Sequence, residues 1–101
     1  MHGAEGAHKR CLVAIDAPRT PLLCVVLLAA DATIAVALAE ARIRLEADPQ
    51  ARAIDWAGGA VGVWGVRCGR ELVPRDGDRI ELYRPLPGDP RQRRRQRVRA
   101  G

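Results

Sequence analysis

Residues 22–39 read LLCVVLLAADATIAVALA, and how this stretch is divided decides the fold. Every position except Asp31 and Thr33 is apolar, which approaches the length and character of a membrane-spanning helix. Asp31 sits in the middle, however, where an aspartate costs about 2.5–3.5 kcal/mol of insertion free energy. Much of the remainder is alanine, which adds little hydrophobic drive. The character also changes at Asp31, from strand formers to helix formers. The stretch therefore predicts a strand, a turn and a helix in series, and no membrane span.

The neighbours of this stretch extend the pattern in both directions. CLVAI (11–15) predicts a first strand. DAPRTP (16–21) has the turn chemistry of two prolines, so strands 11–15 and 22–28 form an antiparallel hairpin. Thr33 can cap a helix reaching about Ala47, with Ile34, Leu38, Ala41 and Leu45 on one face. Val36 and Ile43 widen that apolar stripe, Glu40–Arg44 and Arg42–Glu46 are i,i+4 ion pairs, and Pro49 stops the helix. In the following loop Ile54 and Trp56 are expected to pin the chain to the core.

VGVWG (61–65) predicts a short third strand with tight backbone approach at its glycines. VRCGREL (66–72) leaves room for a brief edge strand. Asp76, Gly77 and Asp78 form a strong turn signal, the glycine supplying positive φ cheaply. RIELY (79–83) closes the domain, with Ile80 and Leu82 on one face and Arg79, Glu81 and Tyr83 on the other. The order β-β-α-β-(β)-β predicts an α+β fold: a mixed four- to five-stranded sheet packed on one main helix, its first and last strands side by side and parallel. That is the β-grasp, or ubiquitin-like, arrangement. A ferredoxin-like fold would need a second long helix with an apolar face.

Charge divides the chain. The formal net charge is +5. Residues 1–88 balance their acids and bases, so the excess comes from residues 89–101, with Arg91, Arg93, Arg94, Arg95, Arg97 and Arg99. Three regions follow: a flexible N-terminal lead at 1–10, the β-grasp domain at 11–86, and a Pro/Arg-rich tail at 87–101 with a short helix able to start at Pro90, capped by Asp89. Residues 1–10 lack the apolar segment of a signal peptide. Three widely spaced cysteines, Cys11, Cys24 and Cys68, fit no zinc pattern and predict thiols in a reducing cytoplasm. No metal or cofactor is expected.

RDGDRIELYRPLPGDPRQRRRQR (75–97) closely resembles the C-terminal signature of the RnfH family of small bacterial ubiquitin-like proteins. Gly77, Asp78, Arg79, Glu81, Tyr83, Arg84, Pro85 and Leu86 match its Gly-Asp-Arg…Glu…Tyr-Arg-Pro-Leu run, and Asp89 and Pro90 match the Asp-Pro beyond. VGVWG (61–65) is similar to the family's Val-Gly-Ile-Phe-Gly, and Ala32, Thr33 and Ile34 match its helix entry. The chain departs from the pattern at Ile15-Asp16, at Asp31, and at Ala35 and Val36, where the family carries Tyr-Ala, Gly and acidic residues. The resemblance implies a non-enzymatic β-grasp protein. It further implies association with a membrane electron-transport complex, or an antitoxin-like pairing with a START-type protein.

The chemistry of the chain excludes most enzymatic readings. It contains no serine, its two histidines lie at 2 and 8, and no G-x-x-x-x-G-K phosphate loop is present. The candidate interaction residues are Arg79, Glu81, Tyr83 and Arg84 on or beside the last strand, forming either a partner-facing patch or a salt-bridged sheet surface, together with Arg91, Arg93, Arg94 and Arg95 in the tail. Asp76, Gly77 and Asp78 are assigned to turn geometry. The near-continuous apolar second strand is an edge in need of cover, either by the helix and the N-terminal segment or by a partner protein or a homodimer mate through that edge. Two other readings compete. A sulfur carrier of the ubiquitin-like kind would need a slim Gly-Gly terminus, whereas this chain ends Arg99-Ala100-Gly101. Nucleic-acid binding through the tail lacks aromatics for stacking and a basic body to support it.

Overall fold

A computed structural model describes residues 8–84. The order is β1 (His8–Ile15), β2 (Leu22–Ala29), α1 (Ile34–Arg44), a 3-10 turn (Pro49–Ala53), β3 (Val61–Val63), β4 (Val66–Cys68) and β5 (Arg79–Leu82). The strands form one sheet in the order β2-β1-β5-β3-β4. β1 and β5 run parallel, with Val13 beside Ile80 and Ile15 beside Leu82, and the other neighbours are antiparallel. This is the β-grasp arrangement that the element order predicts.

Residues 22–39 divide as expected into β2, a turn and α1. Among the described residues no helix is long and apolar enough to cross a membrane. Thr33 is the N-cap, its hydroxyl accepting from the Val36 N–H. Two further first-turn N–H groups are satisfied from outside the helix: Ile34 donates to the Leu72 carbonyl and Ala35 to that of Arg70. α1 packs across one face of the sheet through Ile34, Ala37, Leu38 and Ala41. From the sheet, Val13, Ile15, Val26, Ile80 and Leu82 close the core, with Trp56 at its margin. The loop expectation at Ile54 and Trp56 holds, since Ile54 packs on the core and Trp56 is buried.

Several local expectations are corrected. α1 ends at Arg44, not near Ala47, because beyond the Leu45 cap the N–H groups switch to bonds three residues back, Glu46 donating to the Ile43 carbonyl and Asp48 to that of Leu45. Val36 and Ile43 do not widen the buried stripe; both are exposed, and Ala37 takes a core position instead. The sheet reaches only a narrow strip of the helix, so alanines fit where larger side chains would not. The ion pairs formed among the described residues are Arg79–Glu81 and Arg84–Asp16, not Glu40–Arg44 or Arg42–Glu46. β3 stops at Val63, because Trp64 and Gly65 both take positive φ and make the β3–β4 turn.

β1 also begins at His8, three residues before the predicted strand. The extra residues carry a structural lysine. Lys9 is only 4% exposed, and its ammonium donates to the carbonyls of Ala30 (2.8 Å), Ala32 (2.8 Å) and Pro74 (2.7 Å). All three of its donors are thus used. One side chain ties β1 to the turn that enters α1 and to the loop that leads into β5.

Candidate interaction surface

The face of the sheet turned away from α1 carries three zones. The first is the outer side of β2. Its residues alternate, with Leu22, Val26 and Leu28 buried while Leu23, Val25 and Leu27 are 57%, 53% and 55% exposed. β2 is an edge strand, so its outer backbone groups have no neighbour within the sheet. Leu12 and Ala14 of β1 stand opposite Val25 and Leu23, which extends the apolar zone one strand inward. The sequence predicts an apolar edge here; the structure adds that it has a covered side and an open side.

The second zone holds Arg79, Glu81, Tyr83 and Arg84. Glu81 accepts from Arg79 Nε (3.1 Å), from the Tyr83 hydroxyl (2.7 Å) and from the Gly65 N–H (2.7 Å). These bonds hold its carboxyl below the ordinary carboxylate range: the Tyr83 hydroxyl contributes most among them, and partial burial opposes them. Tyr83 is half-buried and its phenol is pushed up to about 12, first by burial and then by the hydrogen bond to Glu81. Its ring lies against Gly62, where a Cβ would collide with it, and the Arg67 guanidinium sits 5.5 Å from the ring centroid. Arg84 is exposed and reaches Asp16 at 3.8 Å. The arrangement is a closed network that ties β5 to the β3–β4 turn. The polar groups of Glu81 and Tyr83 are bonded to their neighbours.

The third zone is the β3–β4 turn. Trp64 holds φ +49 and is 63% exposed, and Val66 beside it is open as well. A non-glycine residue in this region is strained. Two bonds keep Trp64 there: its indole N–H donates to Asp78 Oδ1 (3.1 Å) and its backbone N–H to the Arg79 carbonyl (3.0 Å). The turn at 75–78 does similar fastening. Gly77 has φ +86 and donates to the Arg10 carbonyl, Asp76 accepts from the Arg10 N–H, and Asp78 accepts from the Arg75 N–H.

Sequence reasoning missed Lys9 and Trp64. Lys9 shares the inward parity of Cys11, Val13 and Ile15, but a lysine next to His8 and Arg10 gives no sign of burial. Trp64 reads as a strand former, and only the Gly65 after it hints at a turn. Arg91, Arg93, Arg94, Arg95 and the tail helix from Pro90 lie outside the described residues.

Among the described residues the chemically reactive groups do not converge. Cys11 is buried, Cys24 and Cys68 are half-buried, and burial raises all three thiols. An open groove of about 360 Å³ between α1 and the 3-10 turn is lined by Arg42, Ile43, Glu46, Ala51, Arg52, Ile54 and Trp56, which include no nucleophile. The molecule is a ubiquitin-like β-grasp protein whose open surface is an apolar sheet edge beside a closed polar network.

Comparison with known proteins agrees with this class. The sequence model of the RnfH ubiquitin family matches residues 10–97, nearly the whole chain, and the chain belongs to that family. It is 51% identical over 45 residues to Protein RnfH of Pseudoalteromonas atlantica, covering 45% of this chain and 42% of that protein. It is 42% identical over 57 residues to a UPF0125 protein of Chromobacterium violaceum, covering 56% and 54%. With Protein RnfH of Citrobacter koseri it shares 47% over 45 residues, 45% and 47% of the two chains. The matched segments span about half the length of these curated relatives.

Proposed function

We propose that this protein is a non-enzymatic interaction module that works in the cytoplasm and binds through the β2 side of its sheet. The observation that carries this reading is the open apolar row Leu23, Val25 and Leu27 on an unpaired edge strand. An edge strand offers main-chain hydrogen bonds for affinity and alternate side chains for specificity. Native edges are ordinarily blunted by charges, proline or short length. β2 is eight residues long and carries none of these devices between Leu22 and Ala29. Its partner is a protein surface, and the family resemblance puts forward a START-type protein or a membrane electron-transport complex. Arg79, Glu81 and Tyr83 brace the other half of the sheet, since their mutual bonds tie β5 to the β3–β4 turn.

Affinity purification from the native cell tests this reading, using the wild type and a Leu23→Glu/Leu27→Glu variant. Both substituted positions are exposed, so the fold survives while two charges enter the row. A partner retained by the wild type and lost by the variant supports the proposal. A partner retained equally by both removes the β2 side as the site. Deleting residues 89–101 in parallel measures what the arginine tail adds.

A further inference from the structure

The β2 edge has a second property: it matches itself. Centred on Val25, the strand reads Leu22-Leu23-Cys24-Val25-Val26-Leu27-Leu28, with leucines at equal distances on either side. Pairing two such edges antiparallel about Val25 sets Leu23 of one copy opposite Leu27 of the other. The same register sets Val25 opposite Val25 and Leu22 opposite Leu28. Opposed residues share a face in an antiparallel pair, so exposed meets exposed and buried meets buried. Shifting the register by one residue would oppose outward and inward side chains.

The flanks agree with the strand. Counted from Val25, Arg19 precedes the strand by as many residues as Asp31 follows it, so the register brings the Arg19 end of one copy to the Asp31 end of the other, at both ends. Both residues are exposed, Arg19 in the bend before β2 and Asp31 in the turn after it. Among the described residues neither side chain has an ion-pair partner. The opposite edge of the sheet offers no equivalent. β4 is three residues long and carries Arg67, so it makes a poor template for β2. Pairing of like with like also closes after two copies, whereas β2 against a different edge would propagate.

We propose that the partner of the β2 edge is a second copy of this chain. The two edges pair antiparallel about Val25 and are clamped at each end by Arg19 and Asp31. The dimer joins two five-stranded sheets into one of ten strands and brings the two open apolar rows together as one face. This inference rests on the reading of the β2 side as the interaction surface, and it puts a second copy there in place of the START-type protein or electron-transport complex that the family resemblance puts forward.

Analytical ultracentrifugation of the full chain tests it. The wild type is expected at about twice its 11.0 kDa at high concentration. Val25→Glu places like charges opposite one another on the dyad and is expected to give a folded monomer, with circular dichroism confirming the fold. Arg19→Glu and Asp31→Arg each set like charges face to face at both ends and weaken dimerisation about tenfold, while the double variant restores it. A wild type that stays monomeric at the highest concentration overturns the proposal. So does a dimer indifferent to Val25→Glu, or a double variant as weak as either single one. A monomeric wild type that still loses a cellular partner on Leu23→Glu/Leu27→Glu refutes self-pairing alone. A monomer with no edge-dependent partner removes both readings.

Discussion

Replacing Lys9 with methionine tests the buried tie between β1, the α1 entry and the loop before β5. Methionine approximates the length of the aliphatic stem and removes the three donors. The carbonyls of Ala32 and Pro74 accept from Lys9 in buried positions, and that of Ala30 in a partly buried one. A buried carbonyl stripped of its donor costs about 1–3 kcal/mol, so the two buried ones set a loss of about 2–6 kcal/mol. The mutation also removes the cost of keeping an ammonium out of water, which offsets part of that loss. The expected net destabilisation is about 3 kcal/mol, or a melting temperature lower by about 12–24 °C for a domain of this size. Thermal and urea unfolding followed by circular dichroism measure it. Lys9→Arg should recover little, because a planar guanidinium does not match three carbonyls gathered around a tetrahedral ammonium. Arg10→Met is the control, since that side chain is exposed on the same strand and its loss should stay within about 0.5 kcal/mol. If Lys9→Met unfolds with the wild type, the three carbonyls do not depend on the ammonium and the tie is not structural.

The remaining predictions concern the sheet. Tyr83 is the single tyrosine, so its phenolate absorbance in the native protein should titrate near 12, and lower in Glu81→Gln, where burial alone still raises it. A native midpoint near 10 would contradict the Tyr83–Glu81 bond. Glu81 has a depressed folded pKa, so its contribution is present above the ordinary carboxylate pKa and is lost as the pH falls through the folded value. Acid unfolding of Glu81→Gln should therefore lack that part of the pH dependence. Gly62→Ala drives a methyl group into the Tyr83 ring and towards the Val66 carbonyl, and should cost about 1–3 kcal/mol in urea unfolding. Ile80→Ala empties a fully buried position on the central strand and should cost about 2–5 kcal/mol. An equally stable variant would mean that the sheet and helix close over the gap.

How much of this was legible follows from where one signal dominates. The parallel β1–β5 pairing and the helix start were readable, because Thr33 and the Asp-Gly-Asp turn are local signals and the element order leaves few topologies. The two faces of β2 were not: LLCVVLL is apolar at every position, so the period of two that would mark an outward side is invisible. Val36 and Ile43 misled for a related reason. Hydrophobicity marks a residue as buriable, but the reach of the sheet decides which helix strip is covered. Lys9 and Trp64 lay beyond reach because each runs against its residue type, a lysine inside the fold and a tryptophan at positive φ in a turn. What sets both positions is a set of hydrogen bonds from distant parts of the chain. The glutamate network was half legible, since the strand face and a salt-bridged surface on it were readable and the bonds of Glu81 to Tyr83 and Gly65 were not.

The strand order has a consequence for biosynthesis. Of the described strands β5 is the last to leave the ribosome, yet it lies at the centre of the sheet between β1 and β3. Until it arrives, β1–β2 and β3–β4 are separate hairpins with no shared partner, and the inner edge of β1 is as bare as the outer edge of β2. During synthesis, at about 5–20 residues per second, the nascent chain therefore shows two sticky edges where the finished domain keeps one on that hairpin. Ribosome stalling upstream of Arg79 would leave the chain in its most aggregation-prone form, and a cell making this protein has reason to finish it quickly.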